Sequence, residues 1–437
     1  MAKGIARLPI CCAPYYMRRS GLGGRANLDR KRWALTASSC NNSSPFGKIA
    51  VGQLRYALQI GRLAEQTNGD RTTTILLGWN RYRAVSDEDI VGSLLDYLRS
   101  LTACRVLAYA EAPTRMTGGY DATIFRFSLQ GAPDPFSGPL VLRLFQATVD
   151  ARRAPCEAAV QNALAELGYP APRVFIVEAR IEPLGGPFLI MERMPGRALG
   201  SEFEGLSIKG LGQTLDILRQ LPRNRRELLR LWDEAQTRLH NLTVSDFVDR
   251  VETAGFPGEN FTFDSQFASL RASAEELGLH ELRPAFDWLG VHRPESQTVV
   301  ICHGDFQPLN ILADHGRLTG VIDWVKATIA DPAFDYGAAL AIFATVPIRV
   351  TAGLRRGLRA LMNNLARTHS RRCRSLPEGE AMLRYYQTFN CVLQLVTVGR
   401  NRVQGRTAHG VYNSPVGVAN LIDHVHLLTG LNVSLRA

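Results

Sequence analysis

Two short apolar runs late in the chain, each ending in oxygen-bearing side chains, constrain the fold more than any other feature. Residues 299–312 read Val-Val-Ile-Cys-His-Gly-Asp-Phe-Gln-Pro-Leu-Asn-Ile-Leu, and residues 320–324 read Gly-Val-Ile-Asp-Trp. The runs 299–302 and 319–322 have the length and β-branched content of buried strands. Asp305, Asn310 and Asp323 follow those strands and are candidates to converge on one point. Carboxylate and amide oxygens are the hard ligands that Mg²⁺ takes, and a further carboxylate suits a substrate hydroxyl attacking phosphorus. The pattern implies phosphoryl transfer from a metal-bound nucleotide. A β-hairpin whose acidic residues only cap turns is the plainer alternative; it accounts for one such residue better than for three at fixed spacing.

The string His303-Gly304-Asp305, with Asn310 five residues after the Asp and Asp323 thirteen after the Asn, resembles the catalytic and metal-binding segments of the protein-kinase-like superfamily. His-Gly-Asp together with Ile-Asp-Trp is similar to the aminoglycoside phosphotransferase branch of small-molecule kinases. The resemblance covers about residues 105–430. It implies an α+β, bilobal protein-kinase-like fold: a small antiparallel-sheet N-lobe, a mainly helical C-lobe and an N-terminal extension. It also implies Asp305 as the catalytic base, Asn310 and Asp323 as holders of Mg²⁺, and ATP or another nucleoside triphosphate as the donor. His303 then supports the loop from behind. Asp331-Pro-Ala-Phe-Asp335 resembles the family's Asp-Pro-x-x-Asp turn, in which Asp335 either ties down the catalytic loop or caps a helix.

Ahead of this segment, residues 104–195 are expected to form the nucleotide-binding lobe, with strands at 104–110, 122–129, 139–145, 173–179 and 187–193 and a helix at 155–167. Thr117, Gly118 and Gly119 fall between the first two strands, where bare glycine backbone can approach phosphate oxygens. Arg143 is the single charge in the apolar run 139–145. A buried lone charge is costly, so Arg143 needs an anion. Under the resemblance the candidates are the nucleotide phosphates and Glu157, and the wider superfamily more often has Lys here. Met191, Glu192 and Met194 resemble the family's hinge, with the backbone of 192–194 on the adenine edge and Ile190 and Met191 as apolar cover.

Residues 1–50 lack periodicity and are expected to be a disordered basic tail. Residues 51–103 read as a helical extension; its second helix opens with Ser86 and Asp89 as a capping box and continues through Leu94, Leu95, Leu98 and Leu101. Helical spacing dominates 196–437, including 211–221 and 226–242, and 258–264 reads as a loop placed to border the substrate.

At 437 residues the chain has room for two to four domains. Its eight cysteines are scattered and several lie in apolar runs, which points to reduced thiols and a cytoplasmic protein rather than a disulfide framework. The Arg-rich start also fits an organelle-matrix leader, though without an amphipathic stripe. No run approaches the length of a membrane span. The net charge of +11 is uneven: residues 1–50 carry +8 and residues 341–437 carry +10, leaving −7 between them. With an acidic middle and no nucleic-acid module, a nucleic-acid partner is not expected. The basic C-terminal part points instead to a small-molecule hydroxyl acceptor that is neutral or anionic. A catalytically weak nucleotide-binding or scaffold protein on the same fold is the alternative. A protein kinase is disfavoured, because Asp323 is followed by Trp324 and no activation-loop-length insertion separates it from Asp331.

Overall fold

The computed structural model describes residues 86–116, 122–147, 149–201, 211–295, 298–348, 352–405 and 410–435. Helix α1 (Asp87–Thr102) leads into strands β1 (Ala108–Met116), β2 (Ala122–Gln130) and β3 (Leu140–Phe145), helix α2 (Arg153–Glu166), and strands β4 (Val174–Glu178) and β5 (Phe188–Glu192). The strands form one antiparallel sheet in the order β1-β2-β3-β5-β4.

Strand alternation decides what this sheet can hold. All six residues of β3 are buried because both faces are covered. Leu140, Leu142 and Leu144 join Phe125, Phe127, Phe188 and Ile190 in a cluster with Ile90, Leu94 and Leu98 of α1. Phe145 lies on the other face with Ala154 and Ala158 of α2, which is also the face that Arg143 shares. Helix α2 is buried nearly all round, since Cys156, Ala159, Val160, Ala163 and Leu164 turn instead to the helical core. A helix of small residues is what permits that double packing.

The expected capping box starts α1: the Ser86 hydroxyl accepts the Asp89 N–H at 3.1 Å, and the Asp89 carboxylate accepts the Ser86 N–H at 3.3 Å. Leu101, counted in its apolar stripe, is 53% exposed. The first strand begins at Ala108 rather than 104, because Ala103 leaves α1 at φ 55° and Leu107 N–H closes a turn onto Cys104.

The second half contains β6 (Arg197–Ala198), α3 (Leu211–His240), α4 (Val244–Thr253), α5 (Phe263–Glu276), α6 (Arg283–Val291) and β7 (Val300–Cys302). Then come β8 (Ile311–Asp314), β9 (Arg317–Val321), β10 (Thr328–Ala330), α7 (Ala333–Thr345), α8 (Ala352–His369), α9 (Arg371–Arg374), α10 (Gly379–Val403) and α11 (Pro415–Thr429). The stretches 211–221 and 226–242 are joined as the single helix α3, which continues through Pro222. A proline removes one ladder bond; burial of Leu228, Leu231, Trp232, Ala235 and Leu239 along the helix outweighs that loss. The segment at 258–264 is a short 3₁₀ turn leading into α5, and Asn260, Phe261 and Phe263 point inward from it. Much of the segment read from sequence as a loop bordering the substrate is thus a turn packed into the core.

Candidate active site

Two loops meet between short paired strands. β7 pairs antiparallel with β10, and β8 with β9. The loop 303–310 therefore leaves β7 and enters β8, while 322–327 leaves β9 and enters β10. Ile322 N–H donates to the Asn310 carbonyl at 2.9 Å, which sets Asn310 beside Asp323. The Asn310 Nδ2 donates to the Asp305 carbonyl at 2.9 Å. The three residues singled out by spacing thus share one small hydrogen-bonded neighbourhood.

Asp335, fully buried in the first turn of α7, organises the loop from below. Its Oδ1 accepts Gly304 N–H at 2.8 Å, and its Oδ2 accepts His303 N–H at 3.1 Å. His240 Nε2 stands 3.0 Å from the same Oδ2. Of the two roles open to Asp335 from sequence, the loop tie is the one formed. His303 is buried too, and its ring bridges the loops: Nδ1 accepts Asp305 N–H at 3.2 Å and Nε2 donates to the Ile322 carbonyl at 2.9 Å. Those partners assign the Nε2–H tautomer. Gly304 has φ +77°, and a Cβ there would lie 2.4 Å from the Lys326 carbonyl oxygen, so only glycine fits.

The Asp305 carboxylate, with 19% of its side-chain surface exposed, is held on both oxygens. Gln307 Nε2 donates to Oδ1 at 3.0 Å and Lys326 Nζ donates to Oδ2 at 3.3 Å. Sequence reasoning missed Lys326 altogether. The one available signal was a lone cation three residues beyond Asp323, but nothing in the chain order says that it folds back over Asp305.

Arg143 reaches the site from the sheet. Its Nε lies 3.4 Å from Glu157 on α2, as the sequence allowed, and its Nη2 lies 3.2 Å from Asp323 Oδ1. Desolvation pushes the Asp323 carboxyl up, but Arg143 above all holds it below the ordinary carboxylate range. Asp323 itself stands at φ +69°, a left-handed conformation rare for a residue with a side chain.

The hinge differs from expectation. Glu192 N–H is already bonded to the Arg173 carbonyl at 2.9 Å, and Arg193 N–H to the Pro139 carbonyl at 2.9 Å. Glu192 Oε1 in turn accepts Arg173 N–H at 2.8 Å. The sheet consumes both N–H groups, while the Met194 N–H and the backbone carbonyls of 192–194 take no part in those two bonds as donors or acceptors. Alternation also turns Ile190 onto the α1 face, away from Met191, so Ile190 gives no cover on the α2 side. Met194 packs over Gly320 of β9, where an added Cβ would meet its Cβ and Cγ at 3.0 Å. Thr117, Gly118 and Gly119 lie outside the described residues.

The model of the phosphotransferase enzyme family matches residues 114–371, more than half of the chain. The chain belongs to that family. A thermostable mutant of aminoglycoside phosphotransferase APH(4)-Ia, solved as a ternary complex with AMP-PNP and hygromycin B, superposes with a TM-score of 0.52 at 18% identity. The alignment covers 78% of this chain and all of that one. This phosphotransferase-family chain therefore has the bilobal, protein-kinase-like α+β fold. Mouse acyl-CoA dehydrogenase family member 10 is 25% identical over 184 residues, 41% of this chain and 16% of the relative. The chain thus spans about a sixth of that curated relative. The aminoglycoside 3'-phosphotransferase of Streptomyces fradiae is 47% identical over 49 residues, 11% of this chain and 18% of that enzyme.

Proposed function

We propose that this family member transfers the γ-phosphoryl group of ATP, or another nucleoside triphosphate, to a hydroxyl of a small molecule. The reading is carried by Asp305, an oriented carboxylate hydrogen-bonded through its own backbone to Asn310, itself seated beside Asp323. The acceptor hydroxyl sits against Asp305 and its oxygen bonds to the γ-phosphorus. The bond from that phosphorus to the β,γ-bridging oxygen breaks, the nucleoside diphosphate leaves, and the hydroxyl proton passes to the Asp305 carboxylate. In a loose transition state this transfer is late, so orientation of Asp305 contributes more than basicity.

The donor atoms suit Mg²⁺. Asn310 spends its Nδ2 on the Asp305 carbonyl and keeps its amide oxygen, and Asp323 offers a carboxylate. Two hard oxygens of this kind are the usual protein share of a Mg²⁺ shell, with water and phosphate supplying the rest. When bound, the ion supplies charge neutralisation between phosphate oxygens. Arg143 would steady Asp323, and Met194 N–H would take the adenine edge.

For the acceptor we favour a neutral or anionic molecule, sugar-like, macrolide-like or a metabolite. Thirteen arginines against three acids in residues 341–437, and Lys326 against the proposed base, support that choice. No described helix is long and apolar enough to cross a membrane. Among the described residues, thiols outside any disulfide at Cys104, Cys302, Cys373 and Cys391 support a cytoplasmic setting.

A screen of hydroxyl acceptors read by ADP release, run beside Asp305→Ala, tests the function. Acceptor-dependent release should fall by about 10³-fold in the variant. Thermal stabilisation by Mg-ATP with no acceptor turned over would replace this reading with a nucleotide-binding scaffold. Efficient turnover of kanamycin-type polycations would refute the acceptor class.

A further inference from the structure

Asp305 carries a free torsion that the reaction needs fixed. The carboxylate end of an aspartate rotates over a broad, roughly two-fold profile, and a hydroxyl poised on phosphorus tolerates little misplacement. Lys326 holds Oδ2, but a lysine ammonium is a mobile point charge on a flexible stem, and its side chain here is 28% exposed. Oδ1 is held differently.

Gln307 is attached to Asp305 at more than one place. Its N–H donates to the Asp305 carbonyl at 2.9 Å, its Nε2 to Oδ1 at 3.0 Å, and its own carbonyl accepts Asn310 N–H at 2.9 Å. Pro308 follows it, which restricts the preceding residue to extended backbone, and Gln307 has φ −120° and ψ 157°. The amide is thus presented by a backbone that the Gln-Pro step has already fixed. It closes a ring of bonds through Asp305, Gln307 and Asn310 that joins the proposed base to a proposed metal holder. A hydrogen bond that contributes modestly to stability can matter far more to rate when it sets the angle of a reacting group.

We infer that Gln307 is a positioning residue for the phosphoryl transfer: its Nε2–H locks the plane of the Asp305 carboxylate so that the acceptor hydroxyl meets one fixed orientation. The inference rests on the phosphotransfer function proposed above. A neutral amide suits this task better than a second cation. It fixes the carboxylate without cancelling the charge that draws the hydroxyl proton, while Lys326 already supplies one positive charge on the other oxygen.

The test uses the full-length chain with Gln307→Met, which keeps length but has no donor, and Gln307→His, which returns a ring N–H at comparable reach. Rates are read as ADP release with whichever of hygromycin B, kanamycin, glucose and glycerol 3-phosphate the unaltered protein turns over fastest. Nucleotide affinity is read by calorimetry with Mg-AMP-PNP, and folding by thermal unfolding. Gln307→Met should lose 10- to 100-fold in kcat, with Mg-AMP-PNP affinity within about twofold and a melting temperature lowered by no more than a few degrees; Gln307→His should recover most of the rate. An undiminished kcat in Gln307→Met overturns the inference. So does a parallel fall in kcat, nucleotide affinity and melting temperature, which would make Gln307 merely structural. If the unaltered protein releases no acceptor-dependent ADP and Asp305→Ala behaves identically, the phosphotransfer function itself fails and this role with it. Acceptor-dependent release abolished by Asp305→Ala but indifferent to Gln307→Met sinks the positioning role alone.

Discussion

The guanidinium of Arg143 lies 3.2 Å from the carboxylate of Asp323 although 180 residues separate them along the chain. Arg143 also faces Glu157, whose side chain is 1% exposed. One cation therefore serves a carboxylate from the sheet-packed helix and another from the loop that would hold Mg²⁺. Removing it takes a cation away from buried Glu157 and from Asp323 together. Arg143→Ala should cost stability on the order of 1–3 kcal/mol and reduce kcat/KM for ATP by at least about tenfold. Arg143→Lys keeps the charge but loses the planar fork and should fall between the two. Equal melting curves and equal ATP kinetics for all three proteins would show that the strut carries nothing.

Asp335 presents acceptors to two loop N–H groups and to His240, and it is fully buried. Asp335→Asn keeps the shape but turns an NH₂ toward one set of donors. Stability should drop by about 2–3 kcal/mol, and kcat should fall with it because the 303–305 backbone loses its anchor. Hydrogen exchange at His303 and Gly304 measures the loosening directly. Protection equal to that of the unaltered protein would rule it out.

The collision predicted at Gly304 has a control in the same molecule. A Cβ at Gly304 meets the Lys326 carbonyl oxygen at 2.4 Å and its Cβ at 2.7 Å, at φ +77°. A Cβ at Gly290, inside α6, meets nothing within 4 Å. Gly304→Ala should lose about 1–3 kcal/mol to strain and push Lys326 off Asp305, with kcat falling by an order of magnitude or more. Gly290→Ala should be neutral or gain about 0.5–1 kcal/mol from helix propensity. Chemical denaturation of both variants decides the pair.

The legible parts of this molecule are those written locally in the chain. The spacing pointed to a meeting of Asp305, Asn310 and Asp323, and two short antiparallel pairs, β7 with β10 and β8 with β9, bring those loop ends together. The Ser86–Asp89 box worked because both partners sit within one turn. Arg143 was recognised as needing an anion, since that follows from burial alone, but its second partner, Asp323, comes from tertiary packing. At Glu192 strand register decides that the sheet takes the backbone N–H, which no local pattern in the chain announces. Ile190 failed for a related reason: neighbours in a strand face opposite ways, so it and Met191 cannot cover the same ligand. Lys326 was invisible because its position depends on the missing side chain of Gly304.

Two histidines make stability depend on pH in a window that the carboxylates do not share. Burial, reinforced by Arg359, pushes His424 down to about 4 from an ordinary value of 6.5. Burial also lowers His369, against an opposing pull from Asp233; its ring is stacked 3.9 Å from Trp232, whose indole N–H donates to the Phe306 carbonyl beside Asp305. For each, the unfolded chain binds a proton more readily than the folded one once pH drops below about 6.5. Stability is therefore complete above that value and is lost as pH falls toward the folded pKa. For His424 the loss should reach on the order of 3 kcal/mol by pH 4. The melting temperature should decline between pH 6.5 and 4, before the ordinary carboxylate range is fully entered. His424→Gln should flatten that slope, and His369→Gln should flatten it further if its own destabilisation is referenced at pH 7.5. A slope identical in the unaltered protein and the double variant would assign the window to other groups.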